Sequence, residues 1–189
     1  RLLLNYDDNL GNLETLVRFY LNSGHVKMAE KISRHICELC EKHECEVPPF
    51  PITLLACRAW LMRAPEARSL IETMISRSCE WGVPDGKLLL GLDSYRNGKK
   101  DEAFKCWEEI ANDKEAISFN RHLAAKGLLG RLSPDPVKAG VPNRSDHRLL
   151  YCLFVGYRYF LDWEESGSKE CFDTASELFK TGLRIMRPS

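Results

Sequence analysis

The chain has 189 residues, of which 44% are hydrophobic and 29% charged, a balance that excludes both a disordered tail and a membrane bundle. Lys plus Arg equals Asp plus Glu at 27 each, so the formal net charge is zero and no overall field draws the chain to nucleic acid or acidic lipid. No apolar run reaches the roughly 20 residues that span a bilayer, and Arg1-Leu2-Leu3-Leu4 is too short for a signal-peptide core, so no membrane partner is expected.

The chain begins with Arg1 and an apolar turn, which leads us to expect a piece of a longer protein. From Asn12, a good N-cap residue, Leu13, Leu16, Val17 and Tyr20 recur at helical spacing until Asn22-Ser23-Gly24. A second helix carries Val26, Ala29, Ile32, Ile36, Leu39 and Cys40 on one stripe, before Pro48-Pro49 halts the pattern. Residues 12–44 thus form one hairpin. Ile52 to Met62 and then Ala67, Leu70, Ile71, Met74 and Ile75 form a second, over 51–81, with Pro65 in the first turn of its second helix. Pro84-Asp85-Gly86 opens a third, over 86–111, with Leu88, Leu89, Leu92 and Tyr95 answered by Ala103, Phe104, Trp107 and Ile110.

A helix over 113–132 follows, and then 133–144, where three prolines and a glycine forbid regular helix and predict an irregular loop. Ser145 or Asp146 caps the start of a final hairpin over 145–186, which turns at "EESGSK". No stretch alternates at period two, so no strand is expected.

Setting Gly24 against Gly98 aligns Ala29 with Ala103 and Ile36 with Ile110, and small residues recur at 29, 67, 103 and 175. A helical hairpin cannot bury its apolar face alone, so hairpins stack, with a small residue where helices cross most closely. The stretch "LGLDSYRNGKKDEAFKCWEEI" resembles a tetratricopeptide repeat, with Gly91, Ala103, Trp107 and Ile110 at its small, small, aromatic and apolar positions. "LETLVRFYLNSGHVKMAEKIS" is more similar to a pentatricopeptide repeat. The resemblance implies a right-handed all-α array of antiparallel hairpins, an α-solenoid, forming a single helical-repeat domain over 1–189 with Gly24, Ala29, Ala67, Gly91, Ala103, Trp107 and Ala175 as packing positions.

Tetratricopeptide-like arrays bind protein segments, and pentatricopeptide arrays read single-stranded RNA one base per repeat. The base-reading position would be Thr15 in the first unit, which suits, and Leu89 in the third, which does not. The function expected is therefore a non-catalytic scaffold for a protein partner, with RNA binding the alternative and self-association a third course. Cations that could meet phosphates or a partner are Arg63, Arg68 and Arg77, Lys99-Lys100, Arg144 with Arg148, and Lys180, Arg184 and Arg187. Interspersed acids give them a plainer reading as solvated helix faces. Tyr151, Tyr157 and Tyr159 differ in phase on one helix, so at least one should face solvent or a partner.

No nucleotide loop, nucleophile elbow or HExxH occurs, and adjacent Ser145-Asp146-His147 cannot form a relay, so neither enzyme activity nor a cofactor is expected. Asn143-Arg144-Ser145 is a glycosylation sequon, relevant only in a secreted chain. His35, Cys37, Cys40, His43 and Cys45 are zinc-ligand types, but a continuous helix spreads them too widely for one tetrahedral ion. The eight cysteines mostly occupy small apolar positions, and the reading is reduced thiols in an intracellular chain, cytoplasmic or nuclear.

Overall fold

The computed structural model describes residues 6–77, 82–113 and 119–186. Among these residues the regular elements are all α-helices, with no strand. The chain divides into two compact units, residues 1–86 and 87–189. The first contains α1 (Tyr6–Asn22), α2 (Val26–Lys42), α3 (Pro49–Leu61) and α4 (Ala67–Arg77). Helix α5 (Gly82–Arg96) crosses the division, and the second unit continues with α6 (Lys100–Asn112), α7 (Phe119–Leu128), α8 (Ser145–Ser166) and α9 (Lys169–Met186).

In the first unit, α1 packs on α2, α2 on α3 and α3 on α4. The buried stripe of α2 is Ala29, Ser33, Ile36 and Cys40, and that of α4 is Ala67, Ile71 and Met74, both at the three- and four-residue spacing of one helix face. Burying an Ile or Met side chain is worth about 1.5 to 3 kcal/mol, so these stripes outweigh the exposed ion pairs around them. Arg58 Nε of α3 pairs with Glu30 Oε1 of α2 at 2.5 Å, and Arg18 lies 4.0 Å over the Phe50 ring.

A single turn geometry ends helix after helix. Gly24 N–H donates to the Leu21 carbonyl and His25 N–H to the Tyr20 carbonyl, the Schellman pattern of bonds back three and five residues. The same pair of bonds recurs with Glu44, Arg63, Gly98, Gly130 and Gly140 in the place of Gly24. All six have positive φ, between 52° and 77°. Glu44 and Arg63 hold this left-handed conformation without being glycine, which costs about 1 to 2 kcal/mol each.

In the second unit, Trp107 of α6 lies against α5 where Gly91 leaves room. A Cβ at position 91 would sit 2.7 Å from Trp107 Cδ1 and closer still to Nε1, which donates to the Leu88 carbonyl at 3.3 Å. Helix α7 packs on α6 and α8, and α8 packs on α9. Gly156 of α8 lies where a Cβ would meet the Phe179 ring of α9 at 2.8 Å. The stretch 133–144 is irregular, as its prolines require, but it is no free loop. Ala139 and Val141 join Leu123, Tyr151, Cys152, Val155 and Leu178 in one buried cluster.

Several boundaries differ from the sequence expectation. Helix α1 begins at Tyr6, so Asn12 is interior to it and caps nothing. Pro49 opens α3 rather than preceding it, and α5 starts at Gly82 with Pro84 in its first turn, because first-turn N–H groups have no intrahelical partner to lose. The N-cap of α8 is Arg144, with no side-chain cap bond, so Ser145 and Asp146 lie inside the helix. Ser168 caps α9 instead, its Oγ accepting from Cys171 N–H at 3.4 Å. The helix read over 113–132 ends at Leu128 in the Gly130 turn, and residues 114–118, like Trp81, Cys79 and Arg187, lie outside the described residues.

The turn geometry makes a prediction. Gly98→Ala should lower stability by about 1 to 2 kcal/mol through left-handed strain, whereas Glu44→Gly should cost nothing or stabilise. Denaturant midpoints of the two variants check it.

Candidate functional site

The packing positions read from the sequence fall into two physical classes. Ala29, Ala67, Ala103, Trp107 and Ala175 are buried, and Gly91 is a close-approach site. Gly24 is different: it is exposed, no atom lies within 4 Å of where its Cβ would be, and its φ of +77° makes it a turn residue rather than a packing one.

Three of the suggested partner-binding cations are paired with acids. Arg68 pairs with Glu72 at 3.1 Å, Lys99 with Glu102 at 3.4 Å and Lys100 with Glu165 at 2.7 Å. Arg63 occupies a left-handed turn position, and Arg144 is exposed at the start of α8. Of the three tyrosines Tyr151 is the fully buried one. Helices α7 and α9 and the 133–144 segment enclose its part of α8, so a residue off the main stripe is buried as well. Its hydroxyl donates to the Ser133 carbonyl at 2.6 Å, and burial pushes its pKa well above the usual phenol value. Tyr157 and Tyr159 are half-buried, the first 5.0 Å from the Phe179 ring and the second against the cluster around Tyr151.

The zinc-type residues on α2 are dispersed: Cys40 is buried, His35 is exposed beside Glu38, and His43 is the C-cap. Burial, the largest influence on it, raises Cys37 to about 11. Among the described residues no group of three or more His, Cys, Asp or Glu could hold a metal ion.

The residues that do converge lie elsewhere in the second unit. The 133–144 segment stands beside α9 and leaves an open groove of about 680 Å³. Pro134, Pro136 and Val137 form one wall, Leu178 and Ile185 supply apolar floor, and Thr174 and Thr181 add hydroxyls. Charged groups line it too: Asp173 and Glu177 on α9, Asp135 from the segment, Arg184 on α9 and Arg148 on α8.

The wall is rigid for a stretch without regular helix. Asp135 Oδ1 accepts from Val137 N–H at 2.9 Å, Ser133 Oγ accepts from Asp135 N–H at 3.2 Å, and the Gly140 turn closes its far side. Val137 is 64% exposed at the rim, an apolar group that this scaffold holds in water. Glu177 is held below the usual carboxylate range by the hydrogen bond from Lys180 at 2.9 Å.

The sequence contained a signal for this groove that periodicity analysis of the apolar stripe passes over. Asp173, Glu177, Thr181 and Arg184 follow one another at three and four residues, a second stripe beside the buried one. What no pattern in the chain could supply is that the proline-rich segment would fold back beside that stripe.

Tyr151→Phe should cost about 1 kcal/mol by removing one hydrogen bond to the groove wall. It should also speed proteolytic cutting within 133–144, read by mass spectrometry, while cutting in the first unit stays unchanged.

No family model, curated protein or solved structure matches the chain.

Proposed function

We propose that the chain is a non-catalytic, intracellular interaction module of the tetratricopeptide-like helical-hairpin class, an α-solenoid relative that binds a segment of a protein partner. The observation that supports this is the groove between the 133–144 segment and α9, lined by apolar and charged side chains together and walled by a hydrogen-bonded segment. Such a surface suits a peptide or helix, which brings apolar side chains and polar backbone together. A pre-ordered wall reduces the entropy lost on binding.

RNA reading has less to stand on. Arg68, Lys99 and Lys100, three of the cations that could meet phosphates, already face carboxylates. No described helix is long and apolar enough to cross a membrane.

The test is a display library of random peptides panned on the chain, with Val137→Glu as the blocked groove and folding checked by circular dichroism. Peptides that bind the parent chain and lose at least roughly tenfold affinity to Val137→Glu support the reading. Binding only to single-stranded RNA, with affinity falling steeply as salt rises, contradicts it. Sedimentation of the chain alone would show whether a second copy takes the groove instead.

A further inference from the structure

The charges that α9 brings to the groove are sorted along its length. Asp173 and Glu177 lie toward the start of α9, whereas Arg184 lies near its end. Arg148 joins Arg184 there, because α8 runs against α9 with Leu149 and Cys152 next to Gly182. From Asp173 to Arg184 is a rise of about 16 Å at 1.5 Å per residue.

The acids of the groove are partly engaged and Arg148 is not. Asp135 accepts from Val137 N–H, and Glu177 is bonded by Lys180. Arg148 forms no ion pair among the described residues, and its Nε is a buried donor with no hydrogen-bond partner. A buried donor left without an acceptor is costly, and a charged one more so. Arg148 lines the groove together with apolar Leu178 and Ile185, a combination suited to a carboxylate attached to something apolar.

We infer that the groove docks an amphipathic protein segment in one orientation, a carboxylate of that segment pairing with Arg148, with Arg184 beside it, and its apolar side chains lying along Val137 and Ile185. Asp173, at the other end, favours a basic residue there and disfavours a uniformly acidic ligand such as a nucleic-acid backbone. This rests on the peptide-docking function proposed above and specifies its ligand.

The experiment takes the library peptides whose binding Val137→Glu blocks and measures each by fluorescence anisotropy against the parent chain, Arg148→Gln, Arg184→Gln and Arg148→Lys. Polyuridylate serves as the phosphate probe, and Arg68→Gln in the first unit as the charge control. The selected peptides should be enriched in Asp or Glu next to apolar residues, and Arg148→Gln should weaken them roughly tenfold or more. Arg148→Lys should recover part of the loss, Arg184→Gln should give a smaller loss, and Arg68→Gln none. If Arg148→Gln fails to fold, the exposed Arg184→Gln decides in its place, with no loss counting against the inference.

Groove-binding peptides without acid enrichment and indifferent to Arg148→Gln would overturn the carboxylate assignment while leaving peptide docking intact. Polyuridylate binding that depends on Arg148 would overturn it in favour of phosphate. If no peptide binds in a manner blocked by Val137→Glu, the docking function itself fails, and this inference with it.

Discussion

The second unit depends on the absence of one carbon atom. Gly91 lets the Trp107 indole lie directly on the α5 backbone, close enough for its N–H to reach the Leu88 carbonyl at 3.3 Å. A buried Trp normally needs a partner for that N–H, and here the helix it packs on provides one. With any other residue at 91 the two helices must separate or the ring must turn, and in a close-packed interior neither is free.

From that contact the order of the unit can be followed outward. The Tyr95 ring lies 5.6 Å from Trp107, and Phe104 completes the aromatic cluster. The Tyr95 hydroxyl donates to Asp162 of α8 at 2.6 Å, and burial first, with that carboxylate second, raises its pKa to about 12. Arg158 faces the same Asp162 at 3.4 Å and donates to the Leu128 carbonyl at 2.7 Å, so one guanidinium links α8 to the end of α7. Two turns earlier on α8, Tyr151 holds the 133–144 segment that walls the groove. The groove is thus at the end of a chain of contacts that begins at Gly91.

Helical class and most helix interiors could be read from the sequence, because apolar stripes such as Ala67, Ile71 and Met74 report burial wherever a helix has one dry face. Helix starts were less legible: Pro49 looks like a breaker, yet at a first turn proline breaks nothing. The site was the least legible part. In the sequence Arg148 and Arg184 are only two cations among many, and nothing singles out Tyr151 as the buried one of three tyrosines, because the segment that buries it has no periodicity to announce where it packs. Glycine alone was ambiguous in sequence. Gly24 and Gly91 look equivalent there, but one provides a left-handed turn and the other close approach.

The most direct test of this account is the unfolding free energy of Gly91→Ala, followed by circular dichroism in denaturant. Helix propensity alone predicts a gain of up to about 1 kcal/mol, since alanine replaces an interior glycine. The packing described here predicts the opposite sign, a loss of about 1 to 3 kcal/mol from overpacking against Trp107. An unchanged or increased stability would contradict the claim that the Gly91–Trp107 contact organises the second unit.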